Sequence, residues 1–232
     1  GPTISIIIPA RGHAQYLSEA IESCIAQRVR PGVSIEIIVV CDADESCFSV
    51  ASGYSSQGVI VCNLVKHRGS YVAQNTGVSI SSGDYITFCG ADDIMAAGRI
   101  RRMFSLMRRH GPMSLVNSFF SFVDSDGVHI KDGDGCLGGI FMYSREMFDR
   151  LGGFRDWECA ADTDFVNRAV LSGGTIRAVR GYDYKYRRHG KQLTLSDETG
   201  SGSSLRDGYL KVVAETVSPE WVSPKTEDYY LE

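Results

Sequence analysis

Short, almost unbroken apolar runs alternating with stretches of helical periodicity constrain this chain more than any other feature of its sequence. Residues 4–8, Ile-Ser-Ile-Ile-Ile closed by Pro9, have strand length and no polar face. Such runs suit a parallel strand covered on both sides. Over residues 14–27, Leu17, Ala20, Ile21, Cys24 and Ile25 recur at helical spacing, and Arg30-Pro31-Gly32 ends the pattern. Residues 34–41 supply a second strand, so the chain opens with a β-α-β unit whose crossover should be right-handed. The rhythm continues with helices predicted near 46–55, 71–80 and 97–110, and strands at 59–65 and 85–89. The last of these helices turns Ile100, Met103, Phe104 and Met107 to one face. Arg99, Arg101, Arg102, Arg108 and Arg109 fall largely on the others and read as a solvated surface.

After Pro112 the rhythm changes. Residues 115–123, the turn Asp124-Ser125-Asp126-Gly127 and a short strand from Val128 read as a hairpin, so the central sheet should be mixed and mainly parallel. Gly200-Ser201-Gly202-Ser203-Ser204 is predicted to be a flexible linker, followed by a helix over 205–216. No internal repeat is present. With 232 residues and 43% hydrophobic content the chain can bury a substantial core. Its formal net charge of -4 argues against nucleic acid as a partner. No run approaches the roughly 18 apolar residues of a membrane helix, and the amino terminus has no signal-like apolar core. Seven cysteines without a C-x-x-C pair fit neither a disulfide framework nor a zinc cage, and Cys41 and Cys89 lie inside apolar runs. Reduced, buried thiols and a cytoplasmic location are the expectation. Gly1-Pro2 resembles a protease scar, so further domains of a longer chain are expected as well.

Ligands of open α/β sheets collect beyond the carboxyl ends of the strands. Four places qualify: Pro9-Ala10-Arg11-Gly12-His13, Asp42, Gly90-Ala91-Asp92-Asp93, and Asp162 with Asp164. Neither G-x-G-x-x-G nor G-x-x-x-x-G-K-[ST] follows any strand, which excludes the usual dinucleotide and P-loop solutions. Asp92 and Asp93 offer hard oxygen ligands for Mg²⁺ or Mn²⁺, or they cap the next helix. Asp162 stands just ahead of the apolar face Phe165, Val166, Ala169 and Val170, where a helix cap and a general base are both open readings.

The ordered set Ser5-Ile6-Ile7-Ile8-Pro9, Tyr16-Leu17-x-Glu19-Ala20-Ile21, Ile37 through Asp42, Gln74-Asn75-x-Gly77, Gly83-Asp84-Tyr85 and Ala91-Asp92-Asp93 resembles glycosyltransferase family 2. The resemblance runs on through Leu151-Gly152-Gly153-Phe154, Ala161-Asp162-Thr163-Asp164 and Tyr186-Arg187-Arg188-His189, covering roughly residues 3–195. It implies a GT-A type, Rossmann-like αβα sandwich over 3–199, with a nucleotide-binding half (3–95), an acceptor half (96–199) and an extension over 200–232. It also implies an inverting, metal-dependent transfer from a nucleotide-sugar donor, a UDP-sugar, to a hydroxyl acceptor such as a glycan. Residue by residue, Asp42 resembles the aspartate that accepts from the base, Pro9, Ala10 and Arg11 border the nucleotide, and Asp92 lies near the ribose. Asp93 and His189 would ligate Mn²⁺ or Mg²⁺, Asp162 would be the base, and Arg68, Arg187 and Arg188 would face the diphosphate. Trp157 and Asp164 would face the acceptor. Gly90 replaces the first aspartate of the usual D-x-D, and Gln74 replaces a common arginine. Two other readings stay open: a catalytically silent sugar-binding module, and a nucleotidyltransferase, for which Pro9-Ala10-Arg11-Gly12-His13 is a poor phosphate loop.

Overall fold

The computed structural model describes residues 1–190, 192–216 and 230–231. Its first sheet is built from β1 (Thr3–Ala10), β2 (Ser34–Cys41), β3 (Val59–Asn63), β4 (Tyr85–Phe88) and β8 (Tyr143–Ser144), in the order β3-β2-β1-β4-β8. The first four are mutually parallel and β8 is antiparallel to β4. Ile4, Ile6, Ile7 and Ile8 are fully buried, as an apolar run covered on both faces requires. One cover is α1 (Ala14–Ile25), which inserts Leu17, Ala20, Ile21 and Cys24, with α2 (Glu45–Ser52) beside it. α3 (Ser70–Ile80) lies against β1 and β2. Because β2 and β4 flank β1 on opposite sides, strand order reverses at the carboxyl ends of β1 and β4. A crevice opens at such a switch point.

A second sheet, β10-β9-β6-β7, is formed by β6 (Ser114–Val123), β7 (His129–Asp132), β9 (Thr175–Arg187) and β10 (Tyr230–Leu231). β6 and β7 are the expected hairpin, whereas β6 and β9 run parallel. Among the described residues two links join the sheets. Val116 and Met142 exchange backbone hydrogen bonds of 3.1 and 2.7 Å, and β5 (Ile94–Met95) leaves the end of β4 to pair with β9. The halves expected on either side of residue 95 therefore share strands. α5 (Arg145–Leu151) and α6 (Ala161–Leu171) add Met147, Phe148 and Phe165 to the core.

Two surface readings are corrected by tertiary packing. Arg99, the first residue of α4 (Arg99–His110), is completely buried, donating to Ser118 Oγ, Asn117 Oδ1 and the Ile140 carbonyl at 3.0, 3.1 and 2.7 Å. Its position at the start of the helix points it under β6 rather than into solvent. The 200–204 segment is also no free linker. Gly200 N–H donates to Ser196 O, Ser201 N–H to Thr194 O and Ser203 N–H to Gly200 O, leading directly into α7 (Ser204–Thr216). The remainder of the expected extension, 217–229 and 232, lies outside the described residues. All seven cysteines are free thiols, five of them buried, and burial pushes the Cys41 thiol up to about 12. No helix among the described residues is long and apolar enough to cross a membrane.

Candidate active site

The crevice at the switch point is lined by the turn after β4, which leaves the first sheet at Phe88 and enters the second at Ile94. The turn brings two carboxylates over Gly90, and a Cβ there would meet Asp93 Oδ2 at 2.5 Å and Asp92 Oδ1 at 3.1 Å. A glycine in place of the first aspartate of the D-x-D pattern thus fits this turn without displacing either carboxylate. Asp93 points inward and is 4% exposed. It accepts from Tyr184 Oη at 2.7 Å and from the Arg187 backbone N–H at 2.9 Å, while Tyr184 Oη accepts from Gly90 N–H. Burial, and then the neighbouring charge of Asp92, push the Asp93 carboxyl well above the usual carboxylate range.

Asp92 faces the other way. His189 Nε2 lies 2.8 Å from Asp92 Oδ2, and His13 Nε2 lies 3.9 Å from the same oxygen. One ligand atom from each of these three residues falls within 4.8 Å of the others, a cluster able to hold a metal ion. The two imidazole rings meet edge to face at 5.1 Å, and Tyr16 packs on His189. His189 was an expected ligand. The structure supplies Asp92 and His13 beside it where the sequence pointed to Asp93. Two imidazoles and one carboxylate suit Mn²⁺ better than Mg²⁺, which prefers an all-oxygen shell.

Arg187, expected at the diphosphate, is 1% exposed. It ion-pairs with Glu19, donates to the Asp92 and Ser125 carbonyls at 2.7 Å each, and lies 4.7 Å over the Tyr16 ring. It is a strut that holds the Asp92 turn. Arg188 is exposed, with its guanidinium 4.2 Å over Phe122.

On the β2 side, Asp42 is buried and its carboxylate is committed to the loop before α3. Arg68 N–H donates to Oδ1 at 2.7 Å, Gly69 N–H to Oδ2 at 2.8 Å, and His67 Nδ1 stands 2.6 Å from Oδ2. Both oxygens of the carboxylate expected to meet a nucleobase accept from the protein's own loop, and His67, with a side chain 58% exposed, is the partner placed at the solvent side. Pro9 and Ala10 end β1 beside it, and Arg11 caps the Asp42 and Ala43 carbonyls at 2.5 and 3.2 Å. The Arg68 guanidinium reaches Asp156 at 3.4 Å across exposed surface. Asp42→Ala should lower stability by about 1.5–3 kcal/mol through the lost charge-assisted bonds. A melting curve unchanged from wild type would show that loop 67–69 does not depend on it.

The same loop leads to the candidate base. Tyr71, in the first turn of α3, donates its hydroxyl to Asp162 Oδ1 at 2.7 Å. Burial, followed by the charge of Asp162, holds the Tyr71 hydroxyl well above its ordinary pKa, so it remains a donor at neutral pH. The second oxygen of Asp162 faces the backbone of 138–139, where a Cβ on Gly138 would approach Oδ2 to 2.9 Å. A side chain at 138 would crowd that oxygen, which the glycine there avoids. Asp162 is no helix cap: the N-cap of α6 is Ala160, and no side chain caps it. Ala160 (φ 63°) and Ala43 (φ 54°) are the two non-glycine residues with left-handed backbone among the described residues. Each stands within two positions of a site aspartate, where backbone strain of about 1–2 kcal/mol is characteristically stored.

Two expected acceptor contacts are used differently. Asp164 is 2% exposed, accepting from Arg155 Nε at 3.0 Å and Arg168 Nε at 2.8 Å, and Arg168 also donates to the Leu151 and Gly153 carbonyls. It braces the 151–155 loop against α6, with both of its oxygens accepting from arginines. Trp157 is stacked by Tyr209 of α7 at 4.5 Å and 13°, with Arg155 5.5 Å from the ring. α7 thus covers the platform a sugar would use. Sequence reasoning missed Tyr71, Tyr184 and the ligating position of His13.

The family model described as Glycosyl transferase family 2 matches residues 5–133. An uncharacterized glycosyltransferase of Bacillus subtilis, YwdF, is 39% identical over 153 residues, 66% of this chain and 52% of the relative. The succinoglycan biosynthesis protein ExoO of Rhizobium meliloti is 30% identical over 132 residues, covering 56% of this chain and 36% of that one. The chain spans about half the length of the first curated relatives it matches. Among solved structures, S. aureus TarS 1-349 in complex with UDP aligns with a TM-score of 0.69 at 16% identity, covering 92% of this chain and 70% of that one. The mannosyltransferase PcManGT from Pyrobaculum calidifontis, in complex with GDP-Man and Mn2+, gives 0.64 at 16% identity over 80% of this chain and 56% of its own. These likenesses establish the GT-A type fold. The matched family segment stops before Asp162 and His189, so their roles rest on the geometry above.

Proposed function

The chain belongs to glycosyl transferase family 2, and on that premise we propose that it transfers a sugar from a UDP-sugar to a hydroxyl acceptor such as a glycan, with inversion at the anomeric carbon. The observation that carries this reading is Asp162, with one carboxylate oxygen fixed by Tyr71 and the other facing glycines at 138 and 139 rather than a side chain. A carboxylate held so can take the proton of an acceptor hydroxyl. As that oxygen forms its bond to the anomeric carbon, the bond from this carbon to the diphosphate oxygen breaks. The electron pair leaves with the nucleoside diphosphate, and the acceptor proton ends on Asp162. One displacement inverts the centre.

His13, Asp92 and His189 would hold a Mn²⁺ ion, which when bound supplies positive charge for the leaving diphosphate. Arg187 keeps Asp92 turned toward the two histidines, and Asp42 keeps loop 67–69, and with it the start of α3 and Tyr71, in position. UDP is the favoured nucleotide because TarS complexes with UDP and with UDP-GlcNAc share this fold. PcManGT, crystallised with GDP-Man, shares it too. A thermal-shift panel of UDP-, GDP- and dTDP-sugars, with and without Mn²⁺, discriminates the donors, since a ligand that binds only the folded state raises its melting temperature. The largest shift is expected for a UDP-sugar with Mn²⁺. A larger shift with a GDP-sugar would reassign the base, and turnover absent across donor and acceptor panels would favour a sugar-binding module.

A further inference from the structure

The arginines of α4 do not form a dispersed solvated face. Arg101 and Arg109 lie eight residues apart on one stripe of the helix, about 12 Å at helical rise. With Arg102 they line a groove of about 410 Å³, closed on its other sides by Arg30, from the loop before β2, and by Arg180 of β9. A chain of formal net charge -4 thus gathers five guanidiniums around one concavity. Arg102 is paired bidentately with Asp183, at 2.7 and 2.5 Å. Among the described residues no carboxylate pairs with Arg30, Arg101 or Arg180. Gathering like charges costs free energy that a bound anion offsets.

The groove is not the donor site. Arg30 precedes β2 and Asp42 follows it, so the eight residues of β2, about 26 Å of strand, separate the two ends. Its remaining lining, Ser105, Leu106 and Val179, narrows the choice of anion. Among the described residues no aromatic ring lines the groove to stack on bases, which disfavours a single-stranded nucleic acid. Among the described residues no exposed apolar anchor accompanies the arginines within the groove, as an interfacial membrane contact would need. What remains is a compact chain of phosphates, recognised by the fork geometry of guanidinium groups. We propose that the groove between α4, β9 and the 28–33 loop is a second anion site, which binds an oligophosphate remote from the donor crevice.

The test is a calorimetric titration of sodium tripolyphosphate into the protein with the donor crevice already saturated by UDP and Mn²⁺, so that competition there is removed. Saturable binding is expected, weakening as salt is raised. Arg101→Glu and Arg180→Glu should each weaken it at least about tenfold, the scale of a lost charge-assisted contact, and leave UDP affinity and melting temperature near wild type. Arg30→Gln, on a different segment, should weaken it in the same direction and serves if either reversal impairs folding. Equal affinity in all variants would overturn the proposal. So would a failure of tripolyphosphate to bind while phosphatidylglycerol vesicles or polyuridylate bind through the same arginines.

Discussion

Asp162→Asn is expected to slow sugar transfer by roughly 10²–10⁴-fold, the range of general base catalysis, with donor affinity and melting temperature close to wild type. The substitution preserves size, and the asparagine oxygen can still accept from Tyr71, so the geometry at 2.7 Å has no reason to collapse. What disappears is the ability to take a proton at Oδ2, the oxygen that faces Gly138 and Gly139. The α6 N-terminus gives no competing explanation, because Ala160 rather than Asp162 occupies the cap position. Turnover of the acceptor, or donor hydrolysis where the acceptor is not in hand, is the measurement, alongside a melting curve. Near-normal transfer by Asp162→Asn would end the assignment. A second variant, Gly138→Ala, should lower turnover while sparing donor binding, because its Cβ would crowd the same oxygen.

The first half of the fold is legible because its instructions are local. Residues 34–41 carry an apolar run bounded by turn signals, and β2 occupies those residues. Arg99 could not be read this way, since its partners Asn117, Ser118 and Ile140 lie 18 to 41 residues downstream and are assembled only when β6 slides under α4. Asp162 and Asp164 show what local reasoning can still recover. Residues two apart on a helix do not share a face, and Arg168 stands four residues after Asp164, the spacing of a helical ion pair. The sequence therefore contained the reason for Asp164 to be a brace and for Asp162 to lie on a different face of α6, where it meets Tyr71. Adjacent carboxylates in a turn carry no such periodicity. Which of Asp92 and Asp93 points outward is decided by Tyr184 and Arg187, residues of β9 more than 90 positions away.

That choice has a measurable consequence. Asp92→Ala and His189→Ala should each abolish tight Mn²⁺ binding, so that the free-ion paramagnetic resonance signal, which wild type removes, persists as protein is added. Transfer should then fall by at least about 10²-fold, because several kcal/mol of charge stabilisation at the leaving diphosphate goes with the ion. His13→Ala should weaken binding less, since its ring lies 3.9 Å from Asp92 Oδ2 where that of His189 lies at 2.8 Å. Asp93→Asn should behave differently: it retains Mn²⁺ but loses about 1–3 kcal/mol of stability. Its amide nitrogen would face either the Tyr184 hydroxyl or the Arg187 N–H, donor against donor. Intact Mn²⁺ binding in Asp92→Ala, or its loss in an Asp93→Asn protein of normal melting temperature, would return the metal to Asp93. The direction of the difference follows from where the oxygens point, because a carboxylate already accepting from two buried donors must give them up before it can ligate an ion, whereas Asp92 already faces both imidazoles.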